Sequence, residues 1–274
     1  MQLDADYVWK ETTLSNLNNP CIQFVNKPVT IYQFIDPFCY QSWKLQLIMK
    51  KLTVKYGLFF TTRPVICHPL TQLNQSSVSN AFSQWHYYLL SLGIKAASLQ
   101  GNRAGKKFLH YLQESVFIDG VDESIEVILL QAAEHACMDI EEFKNDFHST
   151  SSVKAYRGDL TLIQEMNVKQ FPTLVFSSEW METYSIQVSG LQQYETYATL
   201  LEKLLNIDAS FDIGTSHYDV KNYLDKNKRV RTEEVAFIFD MSKKQAEKTL
   251  KKLQLQQLVK KNTIKGTTIW EYTR

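Results

Sequence analysis

An α/β fold with a helical insertion is what this sequence predicts, on three observations. The run "VTIYQFI" at 29–35 is β-branched and aromatic, long enough for a buried strand and too short for a helix, and helical then strand-like patterning follows it at once. From Ser79 to about Thr150 the apolar spacing is helical throughout. Strand signals return at "FPTLVF", 171–176, and at "YSIQVSG", 184–190, close enough together for an antiparallel hairpin.

Taken in order, residues 1–27 are polar and Asn-rich and read as an N-terminal arm, and the first domain spans 28–210. After the first strand, the "DPF" turn leads into a helix on which Leu45, Ile48, Met49, Leu52 and Tyr56 share a face, with Gly57 as its stop. "FFTTRPVIC", 59–67, supplies a second strand. In the insertion, about 79–150, Phe82, Trp85, Leu89 and Leu92 form one apolar face, and Ile125, Ile128, Leu129, Ala132 and Ala136 another. The hairpin and the helix "QYETYATLLEKLL" close this half. Strand, helix, strand, helical block, strand, strand, helix is the order of a thioredoxin-like fold. Three details agree with it: Cys39 at a strand-to-helix turn, Phe171-Pro172-Thr173 entering a strand where such folds place a cis proline, and Gly190 between the hairpin and the last helix.

Residues 213–274 form a second pattern. Thr232 is placed to cap a helix with Glu233 and Glu234 in its first turn and Val235, Ile238 and Phe239 on its apolar side. Ser242 to Gln245 reads as a capping box for the next helix, with Ala246, Leu250 and Leu253 inward, and "LVKKNTIKGTTIWEY" reads as two strands around Lys265-Gly266. These elements describe a small winged-helix-like domain. It carries 14 Lys+Arg against 7 Asp+Glu, a net of +7, while the rest of the chain is net −6. That asymmetry suggests two modules with separate partners.

Composition excludes several classes. The chain has 274 residues, 44% of them hydrophobic, and no apolar stretch long enough to span a bilayer; its start lacks the basic flank and apolar centre of a signal peptide. A cytoplasmic protein with no membrane partner is expected. Cys21, Cys39, Cys67 and Cys137 lie far apart and the six histidines are scattered, so neither a disulfide scaffold nor a metal site nor a cofactor is expected.

The chemistry concentrates in "DPFCYQSWKLQ", 36–46. A cysteine at a helix N-terminus can be an activated thiolate, because free backbone N–H groups and the helix dipole stabilise the charge. Ser42 stands where a second thiol would be, and a hydroxyl cannot resolve a mixed disulfide. A second register puts Asp36 in the nucleophile's place with Cys39 second; either register leaves one thiol. Cys39, Ser42 and Pro172 therefore read as the remnant of a redox motif, with a reactive Cys39 as the alternative. Cys67 at a strand end and Cys137 near an alanine-rich helical face read as small buried hydrophobes, and Trp43 and Phe171 suit core and contact surface equally. In the second domain Lys243, Lys244, Lys248, Lys251 and Lys252, with Lys260, Lys261 and Lys265 near the wing, form a candidate basic contact surface. Arginines, the usual base readers, are nearly absent there, which favours an acidic protein over nucleic acid.

With Cys39 first, the motif Asp-Pro-x-Cys-x-x-Ser-Trp resembles the Asp-x-x-Cys-x-x-Cys-aromatic form of DsbA-like proteins of the FrnE type. Most of the chain resembles the SpxH (YjbH) family of bacterial adaptors, which present the transcription regulator Spx to the ClpXP protease. The likeness is strongest in "IYQFIDPFCYQSWKLQLIMKKLTVKYG", "EMNVKQFPTLVFSSE" and "GLQQYETYATLLEKLL". It implies a DsbA-like fold with a degenerate redox motif and a non-enzymatic role, binding Spx and enhancing its degradation so that the disulfide and oxidative-stress response stays low. Some members carry a His- and Cys-rich segment near the N-terminus associated with zinc and oxidant sensing; this sequence lacks it. Two other functions stay open on the residues: a monothiol redox protein or sensor using Cys39, and a nucleic-acid-binding regulator using the C-terminal domain.

Overall fold

Val29–Ile35 (β1) is the strand the apolar run predicts, and it lies inside a four-stranded sheet. The structure, a computed structural model, describes residues 28–67, 84–119, 124–178, 185–206, 219–264 and 267–273. The arm at 1–27, Phe82 and the Lys265-Gly266 turn lie outside these residues. β1 pairs in parallel with Phe60–Ile66 (β2), Val29 against Phe60, and antiparallel with Thr173–Ser178 (β3), Phe34 against Thr173. Ser185–Ser189 (β4) completes the order β2-β1-β3-β4 as the expected antiparallel partner of β3. Successive side chains of a strand leave opposite faces. Val29, Ile31 and Ile35 therefore enter the larger core, while Phe34 enters a smaller one with Val65, Val168 and Val175.

Tyr40–Tyr56 (α1) covers the first face with Leu45, Ile48, Met49, Leu52 and Tyr56 buried, as their spacing predicts. The helical block that follows comprises Gln84–Leu99 (α2), Asn102–Glu114 (α3) continuing into a π-helical turn at Ser115–Asp119, Ile125–His135 (α4), Ile140–Phe147 (α5) and Thr150–Glu165 (α6). It does not stop near Thr150. The Ser149 hydroxyl caps α6 by accepting the Ser152 N–H, and the Ser152 hydroxyl donates to the Asp146 carbonyl at 2.6 Å. α6 thereby brings Leu162, Ile163 and Met166 over the second face of the sheet. A buried Lys95–Asp159 ion pair joins α2 to α6, and the same carboxylate accepts the Ile66 N–H at 2.6 Å.

Two further expectations need correcting. Trp85 is 62% exposed, its ring against Tyr88, because α2 turns Tyr87, Leu90 and Ile94 inward instead. Cys137 is exposed rather than buried, because α4 ends at Ala136 and Cys137 takes a left-handed φ of 57° that carries it off the alanine-rich face. The predicted face of α4, Ile125 to Ala136, is buried. Tyr194–Leu205 (α7) closes this half. Before it, Gly190 holds a φ of 73°, a conformation glycine adopts without a Cβ penalty, and accepts the Tyr197 hydroxyl at 3.2 Å.

The C-terminal part contains Val220–Asn227 (α8), Arg229–Arg231 (β5), Thr232–Ile238 (α9), Lys243–Leu255 (α10), Val259–Ile264 (β6) and Thr267–Tyr272 (β7), with strand order β5-β7-β6. Trp270 is fully buried among Val220, Leu224, Val235, Ile238, Ala246 and Leu250. The Ser242–Gln245 capping box forms. Thr232 is not a cap: it is the first helical residue, and its hydroxyl accepts the Trp270 indole N–H at 2.9 Å, leaving the cap position to Arg231.

The charge asymmetry suggests an independent module, yet this part is docked on α1. Leu47 and Val54 of α1 pack against the C-terminal core, and Phe237 of α9 packs against both cores. Ion pairs cross the same junction, Lys50 to Glu234 at 2.8 Å and Lys51 to Asp240.

Candidate functional site

β1 delivers the chain to a turn that sets Cys39 at the head of α1. The Asp36 carboxylate accepts the Phe38 N–H at 2.9 Å, the Asp36 carbonyl accepts the Cys39 N–H at 3.1 Å, and the Gln113 side chain of α3 donates to the Pro37 carbonyl at 3.0 Å. Three hydrogen bonds thus hold one short turn, two of them internal and one from α3. Cys39 is the N-cap residue, half-buried, and its side chain makes no capping hydrogen bond. Three residues on, Ser42 is fully buried with its hydroxyl oxygen unpaired, so the position of a resolving thiol is occupied by a group sealed from solvent. The Phe171-Pro172 peptide is cis. Because Thr173 pairs with Phe34, Pro172 sits at the end of β1 from which the Cys39 turn departs.

Cys67 lies at the same end of the sheet, its N–H on the Ile35 carbonyl at 3.0 Å. Burial, with the nearby charges of Asp36 and Asp159, pushes its thiol up to about 12. It stays protonated at neutral pH and is no substitute for the missing second thiol. Disulfide exchange by a two-thiol cycle has no geometric support in this motif.

Around Cys39 the structure assembles a partly open aromatic surface. Trp43 stacks on Phe117 with centroids 5.2 Å apart, and Tyr40, 47% exposed, lies 5.6 Å from Trp43. The Arg231 guanidinium sits over the Trp43 ring at 4.9 Å, and the Lys44 ammonium over Tyr40 at 4.6 Å. Trp43 is thus both packed and in contact across the junction. Phe117 and Arg231 carry no sequence signal for this role, since one ends a helix of the insertion and the other belongs to the C-terminal part.

Beside this surface the junction is charged and buried. Burial alone would raise the Glu234 carboxyl, yet the Lys50 charge, with hydrogen bonds from Lys50 and from Tyr223 at 2.5 Å, holds it below the usual carboxylate value. His110 is pushed down to about 3 by burial and then by the Lys50 charge, so it is a neutral imidazole that accepts from Lys50 at 3.1 Å. Burial raises Glu114, against the pull of Lys50 and Arg229. His110 Nδ1, Glu114 Oε2, Arg229 Nε and Arg231 Nε are buried without a hydrogen-bond partner, so the junction is incompletely satisfied.

The five lysines of the candidate basic surface all lie on α10, and the structure divides them. Lys243 pairs with Glu233 at 2.5 Å and Lys251 with Glu247 at 2.7 Å. Lys244, Lys248 and Lys252 are exposed and lie in no ion pair among the described residues. A cleft of about 420 Å³ between α9, α10 and the β6–β7 hairpin is lined by Arg231, Glu233, Lys243, Glu247 and Lys261, a mixed-sign set with no bias toward one charge of ligand. Among the described residues no helix is long and apolar enough to cross a membrane.

A thioredoxin family model (Thioredoxin_5) matches residues 32–199. Among solved structures, a candidate protein disulfide isomerase from Nitrosomonas europaea superposes with a TM-score of 0.54 at 18% identity, covering 66% of this chain and 98% of that one. A variant of alpha-DsbA1 from Wolbachia pipientis gives 0.50 at 11% identity, covering 65% and 86%. Both are likenesses of fold. The similarity to curated proteins is closer and longer. "ClpXP adapter protein SpxH" of Bacillus subtilis (strain 168) is 32% identical over 92% of this chain and 91% of its own length. The proteins of that name from Bacillus licheniformis and Shouchella clausii are each 33% identical, over 92% and 90% of this chain. With a DsbA-like thioredoxin fold, one thiol where such folds carry two, and this identity across both halves, the chain belongs to the SpxH family.

Proposed function

We propose that this protein is a cytoplasmic adaptor that binds the regulator Spx and enhances its degradation by ClpXP, holding down the disulfide and oxidative-stress response. The observation that carries the reading is that similarity to the ClpXP adapter proteins runs through about nine-tenths of the chain, C-terminal part included. The site is consistent with a role without turnover: a buried Ser42 hydroxyl stands where a resolving thiol would be needed. An adaptor requires no bond making. Holding Spx near the unfoldase raises its effective concentration and makes a weak encounter productive. Division of the chain into an arm at 1–27, a thioredoxin-like domain at 28–210 and a winged-helix-like domain at 213–274 belongs to the same reading, with α1 as the element joining the last two.

The test is degradation of purified Spx by reconstituted ClpXP, with wild type and Cys39→Ser side by side. Both proteins accelerate degradation if the thiol is dispensable. Acceleration by wild type alone would make Cys39 part of the mechanism, and none by either would overturn the adaptor reading.

A further inference from the structure

The outward face of α10 carries three exposed lysines at four-residue spacing. At 100° per residue, Lys244, Lys248 and Lys252 point opposite the buried Ala246 and Leu250, and Leu255, 85% exposed, continues the same stripe. Lys50 pairs with Glu234, Lys144 with Glu141, Lys228 with Asp225, and on α10 itself Lys243 with Glu233 and Lys251 with Glu247. The stripe is the contrary case. Like charges four apart repel one another, and the first turn of α10 has no acidic residue to offset Lys244 against the helix dipole.

We infer that the Lys244–Lys248–Lys252 stripe, ending on Leu255, is a docking surface for an acidic helical segment of the protein this adaptor delivers. The inference rests on the adaptor reading, which makes the partner a protein. The stripe is about 17 Å long at 1.5 Å per residue, matching three turns of a partner helix with carboxylates at four-residue spacing and an apolar residue at one end. A row of charges fixes register and orientation more than raw affinity. The partner whose orientation matters is the delivered chain, which must present its end to the unfoldase. Arginine, the commonest reader of base edges, is absent from this face of α10, which disfavours sequence-specific nucleic-acid recognition there.

The experiment measures Spx affinity and ClpXP-dependent Spx degradation for wild type, for Lys244→Glu/Lys248→Glu/Lys252→Glu, and for a control of equal charge change, Lys154→Glu/Lys169→Glu/Lys221→Glu, whose three lysines are exposed elsewhere. The stripe variant is expected to bind Spx at least tenfold more weakly and to lose acceleration, with the control within twofold of wild type. Wild-type behaviour of the stripe variant overturns the inference and leaves the adaptor reading standing. Failure of wild type itself to bind Spx or accelerate its degradation overturns both. Binding of a 20-base-pair duplex at physiological salt, lost in the stripe variant, would assign the surface to nucleic acid and overturn the inference by another route. If the reversal variant does not fold by thermal melting, the Lys→Ala triple at the same positions is the deciding protein: a loss in the same direction supports the stripe, and unchanged affinity overturns it.

Discussion

Cys67 and Cys39 sit at the same end of one sheet and differ in what surrounds them. The Cys67 thiol, 7% exposed and flanked by Asp36 and Asp159, is held protonated in the folded protein up to about 12, against an ordinary value of 9.0. The unfolded chain therefore loses this proton first as pH rises. Stability is expected to fall between about pH 9 and 12, and Cys67→Ala should flatten that limb in thermal melts, the remainder coming from buried tyrosines such as Tyr194, pushed up to about 12. In a thiol titration with Ellman's reagent at pH 8, Cys67 should stay silent until the protein is unfolded while exposed Cys137 reacts at once. Cys39 and Pro172 were readable from the sequence because a strand-to-helix turn and an X-Pro strand entry are local features. Exposure of Cys137 was not, because it depends on where α4 ends, and that is decided by a single left-handed residue.

α1 does two things: its inward face fills the thioredoxin-like core, and its other side seats the C-terminal part. The apolar period 45-48-49-52-56 announces the first role, whereas Lys50 and Lys51, read alone, belong to a solvated face. Their partners Glu234 and Asp240 lie more than 180 positions away in the chain. Removing one member of a buried ion pair leaves the other charge uncompensated. Lys50→Ala is expected to cost about 3 kcal/mol by chemical denaturation, and Lys50→Met combined with Glu234→Leu to recover much of it. His110 supplies a pH dependence of known sign. Its folded value of about 3 lies below the ordinary 6.5, so the unfolded state takes up the proton first; stability is full above about pH 6.5 and declines as pH falls toward 3. His110→Gln should flatten this acid limb, measured as melting temperature against pH.

For the molecule as a whole, the docking of the C-terminal part on α1 means that the two cores share Phe237 and support each other. One cooperative unfolding transition is expected in calorimetry. Deleting residues 207–274 should lower the melting temperature and raise binding of a hydrophobic dye, because Leu47 and Val54 of α1 lose their cover. Two separated transitions, with the shortened protein unchanged in melting temperature, would mean that the junction contributes little to stability.

The individual strands, the β3–β4 hairpin, the capping box on α10 and the missing thiol at Ser42 all follow from residues within a turn or a strand of one another, so pattern and local hydrogen bonding suffice to determine them. What the basic C-terminal part rests on does not follow in that way. Net charge and helix period describe a segment's own surface, and the contacts of Lys50 with Glu234, Arg231 with Trp43 and Trp43 with Phe117 join positions far apart in the chain. The division of the five lysines of α10 is more local: Lys251 pairs with Glu247 one turn away, Lys243 with Glu233 of the neighbouring α9, and three face outward together. The junction contacts of Lys50, Arg231 and Trp43 depend on how finished elements meet in space, where burial of apolar area and compensation of buried charge decide the outcome.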